Sequence, residues 1–310
     1  MGFIKTAKAL AVALPVANAI APPAISGYSL TWGEDFAGAA ATLPNATNWV
    51  FTTGTSYPGG AAQFGTGEIE TYTNAVANVQ LSGKDTLQIT ALKDAAGAWT
   101  SARIETQRAD FVAAAGGKMR IQASLNLPNV GAQGGIGYWP AFWALGSTFR
   151  GNFVNWPTGG ELDIMENVNA INQAWGTMHC DINPGGACNE NNGLSGNLTC
   201  AGSGCQGSFH TYAVEVDRTA SPESVKWYLD DVEYWAVTET QLPAAIWAQT
   251  VHVPYYILLN LAIGGSFPDK VFGATTPTAD TVSGGVFEAE YVAVYNSVAG
   301  AAKTKPKKSA

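Results

Sequence analysis

The sequence predicts an all-β protein, a jelly-roll sandwich of two antiparallel sheets. Three observations carry that prediction. Period-two alternation recurs in short runs, as at Leu87, Ile89 and Ala91 and again at Val225, Trp227 and Leu229. The 35 glycines, with many Thr, Asn and Pro positions, punctuate the chain and favour packed strands over βα alternation. Helical patterning is confined to one modest candidate around Ala244–Thr250. Within the strands, VKWYLDDVEYWAV reads as a hairpin turning at Asp230-Asp231. With 310 residues and 46% apolar content, one sandwich domain can bury a large core. The sequence carries no visible repeat or second domain.

The two ends differ from the middle. Residues 1–19 read as a signal peptide: Lys5 and Lys8, an apolar stretch, then Ala17-Asn18-Ala19 as a small-residue cleavage site. A membrane anchor needs ~20 unbroken apolar residues, and Pro15 interrupts this run. Residues 20–298 form the expected domain, and 299–310 a basic, disordered tail holding Lys303, Lys305, Lys307 and Lys308. Leader and tail lysines mask the acidity of the domain, which carries 24 acids against 10 bases. That balance argues against nucleic acid, whose phosphates need Lys and Arg.

All four cysteines, Cys180, Cys188, Cys200 and Cys205, fall within 26 residues. An even count in an exported chain favours two disulfides. Three pairings are open; we take the local one, 180–188 with 200–205, although the spacing does not exclude the others. Zinc, with His179 and His210 nearby, fits an oxidising compartment and Gly/Asn-rich spacing poorly. Asp181–Gln206 then reads as a stapled loop. Asn45 and Asn197 head glycosylation sequons.

The residues Gly160–Val168, GELDIMENV, place Glu161, Asp163 and Glu166 in what otherwise reads as a buried strand. Side chains alternate along a strand, so Glu161 and Asp163 share a face and Glu166 has the wrong parity. One β-bulge after Asp163 returns Glu166 to the acidic face. It also shortens the Cα separation of the glutamates from roughly 17 Å to about 13–14 Å. Two inward-leaning side chains then approach the ~5–5.5 Å carboxyl separation of a retaining glycosidase. Solvent-facing acids and an oxygen-ligated calcium site are the alternatives for the bare acid pattern.

The neighbourhood decides between them. The chain resembles glycoside hydrolase family 16, in its laminarinase-like branch, whose signature G-E-[IL]-D-[IV]-M-E follows a W-P-A-F-W segment. Both are present, as Gly160–Glu166 and Trp139–Trp143. Further landmarks follow the family order: Trp32–Phe36, Thr100–Thr106, His210–Val216, Trp227–Asp230, Ile257–Gly265 and Tyr291–Tyr295. The resemblance implies a secreted, retaining endo-β-1,3-glycanase with one sheet concave enough to hold a sugar chain. Glu161 would be the nucleophile, Glu166 the acid/base, and Asp163 the residue that orients and modulates the pair. A neutral polysaccharide, β-1,3-glucan, is the expected substrate; a β-1,3-galactan backbone is the alternative, and an inactive β-glucan-binding module a further one. No cofactor, metal, nucleic acid or membrane partner is expected, and the protein is expected to be a monomer.

Substrate contacts follow from residue type and from the resemblance together. Trp139, Ala141 and Trp143 share a parity, so two indoles project from one face, suited to the apolar faces of sugar rings. Trp156 lies where the family places another platform. The resemblance also nominates Arg103 and His179 for binding, His179 within reach of the acid/base or an aglycone sugar; Asn260 and Asn78 are weaker candidates. Three positions depart from the family pattern: Glu70 replaces a glutamine, Phe267 a tryptophan, and Glu290 an aspartate of a convex-side calcium site found in some members.

Overall fold

The computed structural model describes residues 20–298, so the leader and tail expectations lie outside the described residues. Two sheets, one of ten strands and one of seven among those residues, enclose a single apolar core. The seven-stranded sheet runs in the order 194–198, 174–179, 161–166, 138–146, 255–263, 103–106 and 49–52. This is the jelly-roll sandwich that the alternation predicts.

Alternation assigns the two faces of each strand. Along Tyr138–Gly146, Phe142 and Ala144 enter the core, while Trp139 and Trp143 remain half-exposed on the other face. The strand Leu87–Lys93 buries Leu87, Ile89 and Ala91. The predicted hairpin joins Ser224–Leu229 to Val232–Thr238. Asp230 and Asp231 both take positive φ, 49° and 61°, which the tight primed turns of hairpins require. Asp230 stabilises its turn by accepting the Thr211 backbone N–H at 2.9 Å.

The helix candidate forms over Ala244–Val251. A second helix, Ser266–Phe272, is absent from the sequence expectation, which held one helix candidate, around Ala244–Thr250. Pro268 falls in its first turn, where a missing N–H costs no helical hydrogen bond. Gly265 leads into it with φ 98°, a conformation that L side chains rarely adopt. The cysteines pair locally, Cys180 with Cys188 and Cys200 with Cys205, and no thiol is left for zinc among the described residues. Asn45 and Asn197 are both exposed.

Candidate active site

The acidic strand is Glu161–Glu166, and all six of its residues are buried. Against the neighbouring strand Glu161 faces Leu145, Asp163 faces Trp143, and Glu166 faces Ala141. The four residues from Asp163 to Glu166 thus oppose three on the partner, and the register shifts at that point on both sides. The bulge sits where the parity of the acids requires it. Ile164 and Met165 both end in the core, while all three acids reach the cleft face.

The opposite sheet stabilises this irregularity. Trp227 crosses the core and its indole N–H donates to the Asp163 carbonyl at 2.7 Å. Gly176 makes room for that indole, because a Cβ there would lie 2.2 Å from the Trp227 ring. A bulge leaves a ladder group unpaired, and a buried carbonyl without a donor is costly.

Cross-strand pairing lays the cleft floor in rows. One runs Glu166, Ala141, Asn260, Arg103 and Thr52; the next runs Thr177, Asp163, Trp143, Leu258 and Glu105. His179 faces Glu161 directly. Over these rows lies a cleft of about 1250 Å³, walled by the 57–66 and 153–156 segments, the stapled loop and the helix Ser266–Phe272.

Each glutamate accepts an indole N–H: Glu166 Oε1 from Trp139 at 2.9 Å, Glu161 Oε2 from Trp156 at 3.1 Å. Burial raises the Glu161 pKa to about 8, with the charge of Asp163 adding and that of His179 opposing. Glu166 is held well above the ordinary carboxylate range, first by burial and then by Asp163. The direction is the one that neighbouring carboxylates predict, but loss of solvent is the leading cause.

His179 supplies the local positive charge. Its Nε2 lies 3.3 Å from Asp163 Oδ2 and 3.9 Å from Glu161 Oε1. Burial works against that charge, and the surrounding carboxylates outweigh it, so its pKa stands well above the usual imidazole value. Glu161, Asp163 and His179 bring three donor atoms within 4.8 Å of one another.

The far end of the floor is built around Arg103. Its guanidinium lies 4.7 Å from the Trp143 and Phe64 ring centroids and 5.0 Å from that of Tyr57. It donates to Tyr57 Oη at 2.7 Å, and Tyr57 donates in turn to Glu105. Trp143 donates to Asn260 Oδ1 at 2.7 Å, and Asn260 donates to Tyr72 Oη at 3.0 Å. Stacking and hydrogen bonding together fix the orientation of each polar group before any ligand arrives.

The chain matches known proteins at the level of this whole architecture. The XgeA-like, catalytic GH16 domain matches residues 129–207. An endo-1,3-beta-glucanase from Streptomyces sioyaensis is 48% identical, covers 89% of this chain and 99% of its own, and superposes with a TM-score of 0.87. The chain belongs to glycoside hydrolase family 16. The endo-beta-1,3-glucanase of Pyrococcus furiosus is 30% identical over 86% of this chain and 94% of its own, with a TM-score of 0.69. A Niallia circulans glucan endo-1,3-beta-glucosidase A1 is 28% identical over 88% of this chain, which spans only 38% of that relative.

Within this family 16 frame, Trp139, Trp143, Trp156, Arg103, His179 and Asn260 all line the cleft with the three acids. Two expectations need correction. His179 sits at the Glu161 end of the motif, because strand pairing places it opposite Glu161 rather than Glu166. Asn78 lies off the cleft: it accepts from Thr73 Oγ1 at 2.7 Å and donates to the Thr90 carbonyl at 3.0 Å. Arg103 is only 4% exposed, far from the surface charge that an isolated arginine suggests.

The departures from the family pattern have distinct places. Glu70 turns from the cleft, accepting the Ile263 N–H at 2.7 Å, whereas Glu68 lines it. Phe267 packs edge-on to Trp139 and Trp175. Glu290 accepts from Ser124 on the ten-stranded sheet. Trp227 and Tyr57 act through contacts 64 and 48 residues away, and Glu190 through the fold of the stapled loop, so neither pattern nor spacing pointed to them. A lone acid two residues past Cys188 was the one available clue to Glu190.

Proposed function

We propose that this chain is an exported, retaining endo-β-1,3-glycanase that hydrolyses internal linkages of β-1,3-glucan. The observation that carries the reading is the bulge, which places Glu161 and Glu166 on one face, opposite Leu145 and Ala141 of the same neighbouring strand. Two carboxyl groups so placed suit double displacement. Glu161 attacks the anomeric carbon as a carboxylate while protonated Glu166 gives its proton to the departing glycosidic oxygen. Water then attacks the glycosyl-enzyme, Glu166 takes up its proton, and Glu161 is released.

The protonation states follow from the surroundings. The imidazolium 3.9 Å from Glu161 opposes the rise that burial gives its carboxyl, and burial together with the charge of Asp163 holds the proton on Glu166. Half-exposed Trp139, Trp143 and Trp156 offer platforms to glucosyl rings, and Arg103, Asn260 and Glu68 offer partners to their hydroxyls. The names borne by the Streptomyces and Pyrococcus relatives support β-1,3-glucan. Two disulfides suit an oxidising compartment.

Early hydrolysis of laminarin followed by NMR tests both chemistry and substrate. Retention predicts that the β-anomer of the new reducing end appears first; an initial α-anomer would remove Glu161 from its role. Faster release of reducing ends from debranched β-1,3-galactan than from laminarin would reassign the sugar and leave the chemistry intact.

A further inference from the structure

Glu190 is the sole acid between Asp181 and Glu215, and its side chain is fully buried. Its Oε1 accepts the Cys180 backbone N–H at 2.8 Å, and its Oε2 lies 2.7 Å from His179 Nδ1. Its backbone exchanges two hydrogen bonds with Gly185, inside the loop closed by Cys180–Cys188. A carboxylate held this way needs positive charge beside it, and His179 is its ion-pair partner among the described residues. The other ring nitrogen faces Asp163 and Glu161. Carboxylates on both sides of an imidazole favour the form that donates from both nitrogens.

We propose that Glu190 is a positioning residue acting through His179: it fixes the ring as an imidazolium against Asp163 and Glu161, and so decides which glutamate of the pair ionises first. The Cys180–Cys188 disulfide keeps Glu190 in that place. The inference rests on Glu161 and Glu166 being the reacting pair. The groups facing the ring are Glu161, Asp163 and, further along the strand, Glu166; Glu190 comes from the stapled loop and the Trp156 indole from the preceding segment. Of the other cations lining the cleft, Arg103 pairs with Glu105, and Lys270 donates to Asn192 Oδ1 at 2.6 Å. Neither replaces the charge on His179.

Nitrogen NMR of His179 across pH, with kcat/KM profiles on laminarin, tests the proposal. Wild-type His179 should remain protonated well above the ordinary imidazole range, because the carboxylates around it outweigh its burial. In Glu190→Gln the ring should titrate at least about one unit lower, and the alkaline limb of kcat/KM, where the imidazolium is lost, should fall by about one unit, tenfold in rate at fixed pH on that limb. Glu190→Asp should restore most of both shifts, and the Cys180→Ser/Cys188→Ser double variant should move them as Glu190→Gln does. A neutral His179 in the wild type at about pH 7 overturns the proposal without any variant. So does a Glu190→Gln protein that loses rate evenly at all pH with an unmoved limb. An unmoved limb in the double cysteine variant overturns the role of the disulfide. If the wild type cleaves no β-1,3-glycan, the assigned reaction fails, and the imidazole titration still reads the Glu190–His179 contact.

Discussion

Two buried charged clusters share one sheet face, and they are balanced in different ways. Glu161, Asp163, Glu166 and Glu190 gather around an imidazole, while Glu68 and Glu105 gather around the Arg103 guanidinium. Burial opposes the charge on Arg103, yet Tyr57, Glu105, Tyr72 and Glu68 outweigh it and hold its pKa above even the ordinary arginine value. The guanidinium keeps its charge at any working pH, although Glu68 beside it titrates. The cluster around His179 is built from groups whose protons move. A site that must transfer a proton takes titratable charge, and a site that only grips a hydroxyl takes permanent charge.

The largest effect should fall on the titrating cluster. Glu161→Ala should lower kcat on the order of 10⁴-fold or more with little change in laminarin binding, measured by kinetics beside calorimetry. Arg103→Ala strikes the other cluster and should do the opposite. Removing the guanidinium takes away the cation beside buried Glu68, while Glu105 keeps Arg150 at 3.2 Å, so stability should drop by about 3 kcal/mol in denaturant titration. The surviving activity should show a raised KM and an unshifted pH profile.

Thermal stability against pH joins the two clusters. Glu68, Glu70, Glu161 and Glu166 all have folded-state pKa values raised chiefly by burial. A raised carboxyl binds its proton more tightly in the folded chain, so its stabilisation is complete below the ordinary 4.5 and is lost as pH rises. For Glu161 the loss runs from there to about 8. Melting temperature should therefore fall by several degrees across that window, and Glu161→Gln should flatten part of the fall. A rise would contradict the shifts.

The smallest expected change belongs to Trp139→Phe. It removes the N–H that favours ionised Glu166, so the alkaline limb of kcat/KM should move upward by a fraction of a unit. KM should rise a few-fold with the loss of indole surface.

What could be read from sequence follows the range of the interactions. Parity along GELDIMENV located the bulge, because a strand's alternation is local and three acids must reach one face. The same parity paired Trp139 with Trp143. The device that stabilises the bulge was not legible: Trp227 meets the Asp163 carbonyl from 64 residues away and across the core. Glu190 was hidden for a related reason, since its meaning depends on where a disulfide folds the loop back. The short helix at Ser266 escaped because its Pro and the preceding glycines carry the composition of a turn.

The paired indole donors give this cleft built-in optical reporters. Trp139 touches one reacting glutamate and Trp156 the other, at 2.9 and 3.1 Å. Indole emission responds to a neighbouring carboxyl gaining or losing charge. Each ionisation is thus coupled to its own chromophore, and a sugar stacking on either ring perturbs the same signal. One tryptophan stands beside each reacting glutamate.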